Sequence, residues 1–172
     1  MRHLLVTNDY PPKVGGIQSY LWEIYRRLPQ DKVVVYTTPH PDSESFDQQQ
    51  THKIIRSKQR VLLPTKQVAN QIRTVAKDED IDFIMYDPAV PIGILGPKIR
   101  IPYGVILHGA EVTIPGRVPI ARALIANVLQ NAKLVVTAGD YSTKEAIRAA
   151  KQDLPICVIP PGVDIDRFKP LD

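Results

Sequence analysis

Residues 7–21 read TNDYPPKVGGIQSYL, so Gly15 and Gly16 stand between a short apolar run and an apolar helical repeat. A strand-to-helix turn that ends in two glycines can aim backbone N–H groups and the positive end of a helix at an anion such as phosphate. The glycine spacing is neither the dinucleotide fingerprint G-x-G-x-x-G nor the P-loop G-x-x-x-x-G-K-[ST], which leaves a phosphate cradle of another type or a tight turn. Asp9 and Gln18 place polar side chains on the same rim. His108, in LHGAEV, follows another apolar run and precedes Gly109, a position for a structural hydrogen-bonder or for a group at the edge of a cleft. Asp-x-Asp occurs at Asp80/Asp82 and at Asp164/Asp166, but two carboxylates are too few ligands for a Mg²⁺ site, and solvated turn acids explain both pairs better. His3, His40 and His52 show no metal-ligand spacing with Cys157 or with each other, and no metal is expected.

These residues need a scaffold, and the hydrophobic pattern supplies one. Residues 3–7, 33–37, 82–86, 103–107, 134–137 and 156–159 are short apolar runs without clean alternation, as expected of strands buried on both faces, and residues 53–57 offer a further strand. Ile17, Tyr20, Leu21, Ile24 and Leu28 recur at helical spacing, as do Val118, Ala121, Ile125, Val128 and Leu129. A third helix is expected over 64–78, with Pro64 in its first turn, and a fourth from Ser142, where Ser142-x-x-Glu145 matches a capping box. Residues 39–50 read as a polar surface loop. Strands alternating with helices predict an α/β, Rossmann-like three-layer sandwich around a mostly parallel sheet. Ligands of such sheets bind beyond the carboxyl ends of the strands, where the loop after the first strand lies.

A chain of 172 residues suits one domain with a full core. A net charge of +4, without long Lys/Arg blocks, fits an anionic ligand or surface and gives no sign of a nucleic-acid arm. Sixteen prolines are about twice the average share, and pairs such as Pro11/Pro12, Pro88/Pro91 and Pro160/Pro161 flank the expected strands and stiffen the loops there. Cys157 is the single cysteine, so no intrachain disulfide forms; PICVIP reads as a buried strand thiol in a reducing compartment. No run approaches the length of a membrane span, and residues 1–9 turn polar too early for a secretory leader.

Taken together, LLVTNDYPPKVGGIQSYL, LHGAEV and IPPGVDIDRFKP resemble, in order and spacing, the retaining GT-B glycosyltransferases of family 4. The likeness is greatest to the actinobacterial enzymes that extend phosphatidylinositol mannosides with GDP-mannose. It implies the N-terminal half of a GT-B fold: an acceptor-binding domain over 1–160, the start of an interdomain linker over 161–172, and a donor-binding C-terminal domain absent from this sequence. It further implies mannosyl transfer to a phosphatidylinositol mannoside or related glycolipid by the full-length enzyme, an inactive isolated chain, and no cofactor beyond GDP-mannose as co-substrate. By the same resemblance, Gly15 and Gly16 approach the donor diphosphate or acceptor phosphate, and Asp9 and Gln18 contact acceptor hydroxyls. His108 would touch the transferred sugar or support charge separation. Glu111 would orient a sugar hydroxyl or cap the segment that follows. Ala110 departs from the H-G-H-E of the lipid mannosyltransferases and leaves the acceptor open.

A lipid acceptor implies a cytoplasmic protein that sits peripherally on the inner face of the plasma membrane, with a face suited to an anionic surface. On the first helix the core stripe leaves Gln18, Trp22, Tyr25 and Arg26 pointing outward. In RSKQRVLLPTK, Arg56, Lys58, Arg60 and Lys66 surround Val61, Leu62 and Leu63, which either dip into lipid or pack beneath the next helix. Two rival readings remain. One is a noncatalytic module that binds a glycolipid or pairs with a donor-domain polypeptide. The other, a nucleotide-binding oxidoreductase, is disfavoured by the glycine spacing and by the lack of an acidic residue closing the strand near Tyr36.

Overall fold

The computed structural model describes residues 1–109 and 119–163. Among them, β1 (His3–Thr7), β2 (Val33–Thr37), β3 (Lys53–Arg56), β4 (Phe83–Asp87), β5 (Tyr103–Leu107), β6 (Leu134–Thr137) and β7 (Ile156–Val158) form one sheet in the order β3-β2-β1-β4-β5-β6-β7. Every pairing is parallel, with Leu4 opposite Val34 on one side and Ile84 on the other. All strands therefore end at one edge of the sheet. The order reverses at β1, whose neighbours are β2 and β4, so the loops after β1 and β4 diverge there and open a crevice.

Continuous apolar runs form the central strands because both faces are covered. On one face, Leu4, Val6, Ile84, Val105 and Val135 pack with α3 (Lys66–Asp78) through Val68 and Ile72, with α5 (Pro119–Asn131) through Ile125 and Leu129, and with α6 (Asp140–Ala150) through Ala146. On the other, Leu5, Val35, Met85 and Ile106 pack with Leu21 and Tyr25 of α1 (Gly16–Tyr25). The short helices α2 (Ser43–Asp47) and α4 (Gly96–Ile99) complete the order.

Several local expectations change in the tertiary structure. The polar stretch 39–50 contains α2 rather than loop alone. Helix α3 starts after Pro64, because Thr65 caps it by accepting from the Val68 N–H at 3.2 Å. Helix α6 starts two residues before Ser142, which lies inside its first turn and donates to the Gly139 carbonyl at 2.9 Å, so no capping box forms. Cys157 is exposed, not buried, because β7 is an edge strand whose outer side has no neighbour in the sheet.

The loop after β1 is tied down from several sides. Asn8 clasps the backbone of Leu62, accepting from its N–H at 2.7 Å and donating to its carbonyl at 3.1 Å. Lys13 donates to the Asn8 carbonyl at 2.7 Å and to Thr38 Oγ1 at 2.9 Å. Tyr10 is wholly buried and its hydroxyl lies 2.9 Å from His52 Nε2, while His52 Nδ1 lies 2.8 Å from Gln30 Oε1. The Gln30 oxygen can only accept, so Nδ1 carries a proton; in the neutral ring Nε2 accepts from Tyr10, a direction that protonation of Nε2 would reverse. Burial lowers the His52 pKa below 6.5, with the Asp47 carboxylate partly opposing it. The stability held by this neutral ring is complete above pH 6.5. It declines as pH falls from there through the folded-state value, because only the unfolded chain then takes the proton. Denaturant unfolding at about pH 7.5 and about pH 5.5 should therefore show lower stability in acid, and His52→Gln should reduce that difference. An equal acid loss in the variant would assign the effect elsewhere.

Candidate functional site

The carboxyl ends of β1, β4 and β5 meet at a buried carboxylate. Asp87, the last residue of β4, has no exposed surface; its Oδ2 accepts from Thr7 Oγ1 at 2.8 Å and its Oδ1 lies 2.5 Å from His108 Nε2. An ionised carboxylate only accepts, so Nε2 of His108 donates in this pair. Thr7 Oγ1 accepts in turn from the Asp9 N–H at 2.9 Å. Asp9 Oδ1 then accepts from Gln18 Nε2 at 2.8 Å, which carries the network into the first turn of α1. Tyr20 of α1 stands edge-on to the His108 ring, with centroids 5.7 Å apart. Its hydroxyl donates to the Ile159 carbonyl at 2.7 Å. Burial first, then the Asp87 charge, pushes its pKa up to about 12, so it stays a neutral donor.

Thus Asp9, Gln18 and His108, widely spaced in the chain, are brought to one rim. Gly15 and Gly16 open α1 beside them, and the two glycines differ. A Cβ on Gly15 would lie 2.2 Å from Gln18 Oε1, so this glycine makes room for the Gln18 side chain that reaches Asp9. A Cβ on Gly16 would meet nothing within 4 Å, so the space over its backbone is open to a ligand. No side chain caps α1 at Gly15, and no acidic residue lies in its first turn. Beyond His108, Gly109 has φ of 112°, a conformation that glycine adopts without strain.

Asp87 and Thr7 did not emerge from the sequence as site residues. An Asp before Pro88 reads as a strand terminator, and its one recoverable signal is that it closes an apolar run on the same sheet edge as His108. Glu111, Ala110 and the Asp164/Asp166 pair lie outside the described residues. Asp82 sits at the opposite edge, before β4, where its carboxylate accepts from the Arg2 N–H at 2.8 Å. Among the described residues no group of three or more His, Cys, Asp or Glu is placed to hold a metal ion.

The residues expected from the sequence to face a membrane divide. Arg56 is an internal strut: it pairs with both Asp47 oxygens at 2.6 and 3.0 Å and donates to the Thr38 and Pro11 carbonyls. It holds the β1–α1 loop and is unavailable to lipid. Leu62 is fully buried, since the Asn8 clasp turns it inward, whereas Val61 and Leu63 are 54% and 49% exposed beside exposed Lys58, Arg60 and Lys66. Tyr25 is buried in the α1 core. Trp22 is half-buried; its Nε1 donates to Gln50 Oε1 at 2.9 Å, and the guanidinium of exposed Arg26 stacks 4.6 Å above its ring. Among the described residues no helix is long and apolar enough to cross a membrane.

Comparison with known proteins places this architecture. The family model of Glycosyltransferase Family 4 matches residues 14–167. The chain belongs to this family. Among curated relatives of this family 4 chain is a GDP-mannose-dependent alpha-(1-6)-phosphatidylinositol monomannoside mannosyltransferase of Mycobacterium tuberculosis, 31% identical over 98% of the chain and 46% of that protein. Its Mycolicibacterium smegmatis counterpart is 30% identical over 97% of the chain and 46% of its own length. The chain thus spans about half the length of these relatives. Among solved structures, Anabaena Alr3699/HepE in complex with UDP-glucose superposes with a TM-score of 0.72 at 20% identity, over 96% of this chain and 45% of that one. Sucrose-phosphate synthase from Thermosynechococcus elongatus gives 0.70 at 15% identity, over 99% of this chain and 50% of that one. These structural likenesses bear out the Rossmann-like α/β fold, matching about half of each of the two chains.

The two glycines make separable predictions. Gly16→Ala should leave the fold intact and raise its stability by up to about 1 kcal/mol, since alanine is the better helix former. Gly15→Ala should instead displace the Gln18 side chain. Thermal unfolding together with the Gln18 side-chain amide resonance reads both; an unchanged Gln18 resonance in Gly15→Ala would contradict the steric argument.

Proposed function

We propose that this chain is the acceptor-binding half of a retaining, metal-independent glycosyltransferase that moves mannose from GDP-mannose to a phosphatidylinositol mannoside or a related glycolipid. The observation that carries the reading is the convergence of Gly15–Gly16, Asp9–Gln18 and His108 on one rim of the crevice, in a family 4 chain whose curated relatives use GDP-mannose and phosphatidylinositol mannosides. Each group has a task that its chemistry suits. The open backbone at Gly16 and the uncapped N-terminus of α1 attract a phosphate oxygen. Asp9 and Gln18 offer an acceptor and a donor to sugar hydroxyls. His108 contacts the transferred sugar and, paired with the buried Asp87 carboxylate, supports positive charge as the glycosidic bond to the diphosphate lengthens.

A lipid acceptor requires the crevice to meet a bilayer surface. Val14, 99% exposed on the β1–α1 loop, and Val61 and Leu63 form its apolar contacts, with Lys58, Arg60 and Lys66 facing anionic headgroups. The Asn8–Leu62 clasp joins these two segments, so the membrane contact and the phosphate loop move together.

Titration of the ¹⁵N-labelled chain with deacylated phosphatidylinositol monomannoside should give saturable amide shifts at Gly15, Gly16, Gln18 and His108, and a much smaller response to GDP-mannose. Binding elsewhere on the chain, or none, would reject the acceptor site. Binding there by a full-length protein devoid of transferase activity would favour the noncatalytic module. In a separate flotation assay, wild type should rise with phosphatidylserine-containing vesicles, and a variant with Lys58, Arg60, Val61 and Leu63 all changed to Ser should remain below. Equal flotation of the two would remove this surface from the proposal.

A further inference from the structure

We propose that Asp87 and Thr7 are positioning residues that set the tautomer and direction of the His108 ring and lock it to the loop carrying Asp9 and Gln18. The inference deepens the reading of the site as an acceptor site and rests on it for its functional consequence, though not for its geometry. Asp87 is fully buried and, among the described residues, its hydrogen-bond partners are Thr7 and His108. A carboxylate in such a place must be met by donors on both oxygens, because an unmet charge there is costly. Each oxygen is committed to a different strand end: Oδ2 to Thr7 of β1 and Oδ1 to His108 after β5.

The direction of each bond follows from chemistry. The carboxylate cannot donate, so the Thr7 hydroxyl spends its single proton on Asp87 and turns a lone pair to the Asp9 N–H at 2.9 Å. In the neutral form of the His108 ring, the same carboxylate places the proton on Nε2 and the lone pair on Nδ1. The Tyr20 edge, 5.7 Å away and itself held by the Ile159 carbonyl, restrains the ring from the α1 side. A change at Asp87 is therefore transmitted two ways: to the ring of His108 directly, and through Thr7 to the backbone of Asp9, whose side chain holds Gln18. Thr7 serves through its hydroxyl, so serine suffices at this position and valine, nearly isosteric, does not.

The test reads the His108 ring nitrogens of the 172-residue chain by long-range ¹H–¹⁵N correlation at neutral pH, in wild type, Thr7→Ser, Thr7→Val and Asp87→Ala. Wild type, Thr7→Ser and Thr7→Val, which all keep the Asp87 carboxylate, should show a single Nε2-protonated species, whereas Asp87→Ala should show a mixture of tautomers. Thr7→Val and Asp87→Ala should bind deacylated phosphatidylinositol monomannoside roughly tenfold more weakly, with Thr7→Ser near wild type, a factor that corresponds to about 1.4 kcal/mol. If Asp87→Ala does not fold, the Thr7→Val and Thr7→Ser pair decides alone. An unchanged His108 tautomer in Asp87→Ala, or equal binding losses in Thr7→Val and Thr7→Ser, would overturn the proposal. Should wild type fail to bind the headgroup while the tautomer series behaves as expected, the acceptor reading falls and the positioning role stands.

Discussion

A carboxylate with no exposed surface can persist only where hydrogen-bond donors converge on it, and in this protein that demand falls on Asp87 at the end of β4. The donors come from the ends of the flanking strand β1 and of the segment after β5, so satisfying one buried charge fixes three chain segments relative to one another. From Thr7 the constraint passes to Asp9 and Gln18, and from His108 it passes by ring contact to Tyr20. The crevice at the switch point is thus built outward from a charge, with the sheet register deciding which strand ends are close enough to serve it.

The loop that leaves β1 shows how rigidity is obtained without regular secondary structure. Proline restricts its backbone torsions, but the hydrogen bonds do more: Asn8 clasps Leu62, Lys13 returns to the Asn8 carbonyl, Tyr10 meets His52, and Arg56 braces the Pro11 carbonyl from β3. These side chains are internal ties. The consequence is a loop whose glycines present their backbone in a held geometry, so the anion binding proposed there would cost little ordering entropy.

Family 4 membership and the half-length match to the mannosyltransferases give these details a setting. The rim at the ends of β1, β4 and β5 is held by a connected set of hydrogen bonds. Arg56 illustrates how physical context reassigns a residue: as one of several cations beside an apolar run it suggests a lipid contact, but its two bonds to Asp47 and two to backbone carbonyls make it a brace. Lys58 and Arg60, two and four residues on, remain on the outside.

The sequence by itself determined the alternation of strands and helices, the parallel sheet and the position of the glycine loop at a strand-to-helix junction. These features rest on local periodicity and on the backbone preferences of Gly and Pro, which act over a few residues. It also brought Asp9, Gln18 and His108 forward as polar residues at element ends. What it left to the tertiary structure depended on partners distant in the chain. Asp87 acquires its meaning from Thr7, 80 residues earlier, and from His108, 21 residues later, which only the β1–β4–β5 pairing brings within hydrogen-bond distance. Leu62 turns inward while Val61 and Leu63 turn outward because Asn8 pins one backbone unit. Cys157 is exposed because β7 closes the sheet, and an apolar run reads alike in a central strand and at an edge. Helix α6 starts at Asp140 instead of Ser142 because the residue that matched a cap bonds backward to Gly139. Local chemistry chose the elements; burial and register, which are properties of the assembled sheet, chose what each side chain does.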